Sequence, residues 1–222
     1  FLPEAFRHFK KLRKFIINPG IEKFNPIKFL PEWLGTLEDL REFEMWKTNV
    51  ETFPNSFGNL TRLKTLKVGY NPCLKELPAS FGNLRDLKTL HLYNNPELKE
   101  LPESIGRLIL LENLELTEDG LRTLPESIGG LKSLRTLVVD RVGTLERLPE
   151  SLGQLEELEE LSIKRTGLKL LPESLGDLKS LKMLTIEKCP IETLPESIGE
   201  LRSIEKIRIR WSKLKSVPES IG

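Results

Sequence analysis

Apolar residues fall in a fixed order along this chain. An L-x-x-L-x-L segment is followed by a polar stretch, an L-P-E-S-[IL]-G motif and one further leucine. In Leu181-x-x-Leu184-x-Ile186 the last residues alternate with period two, which predicts a short strand. Leu184 and Ile186 point to one side and Thr185 and Glu187 to the other. Pro172 fits the first position of a short helical turn, where its missing N–H leaves no donor unpaired. Glu173 and Ser174 open that turn, and Gly176 is expected to close it with a positive φ. Leu175 and Leu178 then return to the core.

This unit recurs from end to end. Its proline stands at Pro3, Pro31, Pro54, Pro78, Pro102, Pro125, Pro149, Pro172, Pro195 and Pro218, with spacings of 28, 23, 24, 24, 23, 24, 23, 23 and 23 residues. A repeat this short cannot bury its apolar side alone, so it stacks on its neighbours. The predicted fold is α/β: a right-handed solenoid with a concave parallel β-sheet and short helical or 3₁₀ turns on the convex face. The strands sit ~4.8 Å apart, giving a sheet roughly 40 Å long. Residues 1–222 are expected to form a single domain of about nine full repeats and a truncated tenth.

The motif resembles the leucine-rich repeat (LRR) family, specifically its 23- or 24-residue L-P-x-x-[IL]-G subclass, over the whole chain. Ras-pathway scaffolds, plant intracellular LRR proteins and immune receptors, and injected bacterial effectors carry this subclass. The resemblance implies a horseshoe that recognises proteins and performs no reaction itself. Some bacterial LRR effectors are ubiquitin ligases. The resemblance therefore also admits a substrate-recognition arm whose catalytic domain lies outside this segment.

One position departs from the family. Counting the leucine that opens L-x-x-L-x-L as position one, position nine is usually asparagine. Here it is Thr48, Asn71, Asn95, Asp119, Val142, Thr166, Cys189 and Ser212. An inward side chain there should bond the exposed backbone of the descending loop. Valine cannot, so a less regular ladder is expected around Val142.

The ends differ from the middle. The first repeat is lengthened by residues 18–26, and Phe1, Phe6, Phe9, Phe15, Phe24 and Phe29 crowd around it. These residues are either a loop insertion with bulky packing or a partial N-terminal cap. The chain begins at Phe1 and stops inside a repeat, so it is expected to be a segment of a longer protein.

Composition narrows the partners. The net charge of +1 supplies no overall field for nucleic acid, which is not an expected partner. The longest apolar run, Leu108-Ile109-Leu110-Leu111, is far short of the roughly 20 residues that cross a bilayer, so no membrane partner is expected. The two cysteines, Cys73 and Cys189, lie in distant repeats and cannot pair, which favours a reducing, cytoplasmic location, the host cytosol for an injected effector. A monomer is the expected state. The histidines, His8 and His91, stand apart, and no metalloprotease, P-loop or nucleophile-elbow motif occurs. No catalytic, cofactor-binding or metal-binding residues are assigned, and the repeated motif glutamate reads as a solvated turn residue.

The candidate binding residues lie at positions five, seven and eight, which face the concave side or its edge. Both tyrosines, two of the three tryptophans and one of the two histidines fall there. Trp46, Tyr70, His91 and Tyr93 form an N-terminal aromatic zone. Glu115, Glu118 and Asp140 form an acidic middle. Arg141, Lys164, Arg165, Lys188, Arg208, Arg210 and Trp211 form a basic C-terminal stretch. Exposed aromatics and arginine are typical of interface hot spots, and ordered charge favours a complementary protein partner.

Overall fold

The computed structural model describes residues 2–20 and 25–221. Each repeat contributes one strand and one 3₁₀ turn. The strands are β1 (Lys14–Ile17), β2 (Glu42–Trp46), β3 (Thr65–Gly69), β4 (Thr89–Tyr93), β5 (Asn113–Thr117), β6 (Thr136–Asp140), β7 (Glu160–Lys164), β8 (Met183–Glu187) and β9 (Lys206–Arg210). They form one open parallel sheet in chain order, with like positions paired across neighbours. The fold is an LRR-type solenoid.

The core is a set of columns running along the stack. Leu66, Leu90, Leu114, Leu137, Leu161 and Leu184 form one column and are essentially inaccessible. Val68, Leu92, Leu116, Val139, Ile163 and Ile186 form the next. Each full burial of this kind stabilises by about 1.5–3 kcal/mol. At the N-terminal end the Phe6 ring meets Phe9, Phe15 and Trp33 at centroid distances of 5.4, 5.9 and 6.4 Å. Phe15 continues edge-on to Phe43. These aromatics pack over the end of the leucine columns. Phe1, Phe24 and the rest of segment 21–24 lie outside the described residues.

The helical side corrects two expectations. Pro172 precedes the turn Glu173–Asp177 as its extended N-cap (φ −67°, ψ 148°), and its carbonyl accepts the first turn bond from Leu175 N at 3.1 Å. Gly176 does not need a positive φ. A Cβ there would overlap the carbonyl oxygen of Ser197 in the next turn, and Gly58 meets Ser80 in the same way. The motif glycine is therefore a close-approach residue between stacked turns. The motif glutamate and serine also pair across repeats. Ser56 Oγ donates to Glu32 O at 2.7 Å, and Ser174 N donates to the Glu150 carboxylate at 3.0 Å. The exposed glutamate is thus a bonded rung at these turns.

The left-handed residues stand at the ends of the strands. Lys47, Tyr70, Asn94, Glu118, Arg141, Arg165, Lys188 and Trp211, all at position eight, have φ between 51° and 55°. Simple alternation would turn position eight inward and position nine outward. The left-handed residue reverses the phase and swings position nine into the core. The conformation costs on the order of 1 kcal/mol per residue. It is held at all but Trp211, which follows the last strand, because the amide continues the ladder: Tyr70 N donates to Tyr93 O at 2.7 Å and Glu118 N to Asp140 O at 2.9 Å. None of the eight is β-branched, the one trace of this bend in the sequence.

Candidate binding face

The outer face of the sheet carries the predicted aromatic zone in one place. Strand pairing sets Trp46 opposite Gly69 and Gly69 opposite Tyr93. A Cβ at Gly69 would collide with the Trp46 ring, so the indole lies over the space that glycine leaves. Its Nε1–H donates to Glu44 Oε2 at 3.0 Å. The left-handed bend at Tyr70 brings its ring to 4.9 Å from the Tyr93 ring. Hydrogen bonding with Tyr70, then desolvation, pushes the Tyr93 phenol up to about 12. Trp46, Tyr70, His91, Leu92, Tyr93 and Glu115 line a shallow cleft of about 340 Å³. A second cleft of about 350 Å³ adjoins it, sharing His91 and Glu115 and extending over Thr89, Asn113, Thr136 and Val138. Burial, partly offset by Glu115, holds the His91 imidazole below its ordinary value.

Behind this face runs a ladder of buried position-nine side chains. Thr48 Oγ1 donates to Asn71 Oδ1 at 2.7 Å, and Asn71 Nδ2 to Asn95 Oδ1 at 3.1 Å. Asn95 Nδ2 donates to Asp119 Oδ1 at 2.9 Å and to Val68 O at 3.2 Å. The chain of bonds then stops: Asp119 Oδ2 is buried with no partner, and the next rung is Val142. It resumes with Thr166 Oγ1 and Cys189 Sγ, 3.2 Å apart. The side-chain ladder thus breaks where Val142 stands, while β6 and the bend at Arg141 keep the regular backbone. Desolvation drives the Asp119 carboxyl up to about 7, against the pull of its bonds to Asn95.

Comparison with known proteins gives the same assignment as the columns and the ladder. A family model described as a leucine-rich repeat region matches residues 90–169. The leucine-rich repeat domain of the type III effector XopL superposes with a TM-score of 0.77 and 30% identity, over 88% of this chain and 69% of that one. The chain belongs to the leucine-rich repeat family. Two further structures share the fold at lower identity. An LRR protein of Leptospira interrogans has a TM-score of 0.51 and 22% identity, covering 99% of this chain and 78% of that one. The plant peptide hormone receptor RGFR1, solved in complex with RGF2, has a TM-score of 0.62 and 23% identity, covering 99% of this chain and 39% of that one. No curated protein matches the sequence.

In this LRR sheet the predicted charged zones interlock instead of separating. Arg141 Nη1 donates to Glu118 Oε1 at 2.6 Å, and Asn94 Nδ2 to Glu118 Oε2 at 3.1 Å. Arg165 clamps both oxygens of Asp140, with Nε to Oδ1 at 2.8 Å. Glu118 and Asp140 are therefore neutralised by the start of the basic stretch, whereas Glu115 is not. Along position seven the row Asp140, Lys164, Glu187, Arg210 alternates in sign. Arg208 lies 3.9 Å from Glu187, and Lys188 Nζ stands 5.3 Å over the Trp211 ring. Trp211 is 67% exposed and belongs to the far end of the sheet, away from the aromatic cleft. Glu44 and Glu187 also belong to this charged face, and linear sequence hides them because their cationic partners Lys14, Lys67 and Arg208 lie one repeat away. Among the described residues no group of three or more His, Cys, Asp or Glu side chains is placed to hold a metal ion.

Proposed function

We propose that this LRR domain is a recognition module that grips a protein partner with its outer sheet face, centred on Trp46, Tyr70, His91 and Tyr93. The observation that carries it is the assembly of these four side chains, from three successive repeats, into one open cleft. Rings held on a sheet by strand register lose little entropy on binding, which suits them to serve as anchors. The flanking residues Glu115, Glu118, Asp140, Arg141, Lys164, Arg165, Lys188, Arg208, Arg210 and Trp211 extend the surface as a polar rim. Membership in a family that commonly mediates protein interactions supports the same reading.

The likeness to a type III effector domain supports a second, compatible reading. In it the segment is the recognition arm of a longer effector acting in a host cytosol, and any catalysis belongs to flanking sequence. Unpaired Cys73 and Cys189 suit that reducing setting.

Crosslinking capture from host or native lysate with the parent and with Trp46→Ala, Tyr70→Ala and Arg210→Glu tests the proposal. Each aromatic truncation should weaken capture about tenfold or more, with an unchanged circular dichroism spectrum. Equal capture by all three variants would show that the partner docks elsewhere.

A further inference from the structure

Among the described residues, one carboxylate in the aromatic cleft lacks a compensating cation. Glu44 receives the Trp46 indole N–H and has Lys14 and Lys67 each at 3.8 Å. Glu118 is bonded by Arg141 and Asn94. Glu115 Oε2 faces His91 Nδ1, 3.6 Å away. Burial, with Lys67 adding to it, keeps that imidazole neutral near pH 7, so it cannot balance the charge. The Glu115 side chain is 43% exposed and lines both adjoining clefts. Beside it lies the tilted Tyr70–Tyr93 pair, in which the Tyr93 phenol is pushed up to about 12 and stays uncharged over the neutral range. The cleft therefore joins an accessible anion to a floor of neutral aromatic rings.

Resting on the recognition reading above, we propose that this cleft receives an arginine side chain of the protein partner, its guanidinium on the tyrosine rings and paired with Glu115. A cation is favoured over an aromatic face and by the unbalanced carboxylate. Arginine fits better than lysine because a planar guanidinium stacks on a ring and meets a carboxylate with two donors at once. The molecule already seats a cation on a ring at the other end of the sheet, where Lys188 stands over Trp211.

The test uses the whole chain and a defined probe, N-acetyl-arginine-N-methylamide, followed by amide and indole NMR shifts at low salt. Saturable shifts are expected at Trp46, Tyr70 and Tyr93, with a Kd on the order of 10 mM. The uncharged citrulline analogue should bind about fivefold or more weakly, and Glu115→Gln should weaken the arginine probe about threefold or more. Glu205→Gln, an exposed change outside the cleft, should leave both values unchanged. Absence of shifts, equal binding of citrulline, or insensitivity to Glu115→Gln overturns the proposal. Should the arginine probe fail while Trp46→Ala still abolishes partner capture, the arginine assignment falls and the recognition face stands. Failure of the arginine probe together with unchanged capture by Trp46→Ala would remove both.

Discussion

Replacing Asp119 with asparagine should stabilise the protein, and the gain should grow with pH. Asp119 is 5% exposed, one of its oxygens bonds Asn95, and the other has no partner. Its carboxyl titrates at about 7 in the fold against an ordinary 3.8, chiefly because burial disfavours the anion. The folded value is the higher one. Its contribution to stability is therefore fully present below about 4 and is lost as pH rises through about 7. That gap corresponds to about 4 kcal/mol at pH 8 and above. Asparagine cannot ionise and keeps an acceptor for Asn95. Its amide nitrogen would also reach the carbonyl of Leu92. Asn95 and Cys189 reach the equivalent carbonyls, Val68 O at 3.2 Å and Ile163 O at 3.7 Å. Urea denaturation of parent and variant at several pH values between 4 and 8.5 isolates the effect, since other titrating groups are common to both. The difference in unfolding free energy should be small at pH 4 and rise by about 1.4 kcal/mol per pH unit between about 5 and 7. The melting temperature at pH 8 should climb on the order of 10 °C. A difference independent of pH would refute the buried, ionising carboxyl at the broken rung.

Two further substitutions probe contacts made between repeats. Gly58→Ala places a methyl against the Ser80 carbonyl oxygen of the next turn and should destabilise by about 1–3 kcal/mol, measured by thermal or urea unfolding, with no change in the sheet face. Gly69→Ala drives a methyl into the Trp46 ring on the solvent side of the sheet. It should cost less than about 1 kcal/mol in stability. It should nonetheless displace the indole, red-shift tryptophan emission and weaken partner capture nearly as much as Trp46→Ala. Unchanged emission would mean that the ring does not rest on Gly69.

The repeat alone determined the fold, the columns of buried leucine and the side of the sheet on which Trp46, His91 and Tyr93 stand. A period-two strand has two faces, and Leu90 and Leu92 claim one of them for the core, so His91 and Tyr93 take the other. The break at Val142 was likewise visible, because a side chain without donor or acceptor cannot be a rung. Contacts across repeats were decided only by tertiary structure. The left-handed bend that turns position nine inward is carried by eight non-glycine residues, so no glycine marks it. The motif glycine serves the close approach of Ser197 to Gly176, a contact whose partners are far apart in sequence. The acidic and basic zones cancel in part, because Asp140 meets Arg165, and Glu118 meets Arg141, one repeat away. Local pattern sets which way a side chain points. What it then touches depends on the register of the neighbouring turn, and that same register leaves Glu115 without a cation and Asp119 Oδ2 without a donor.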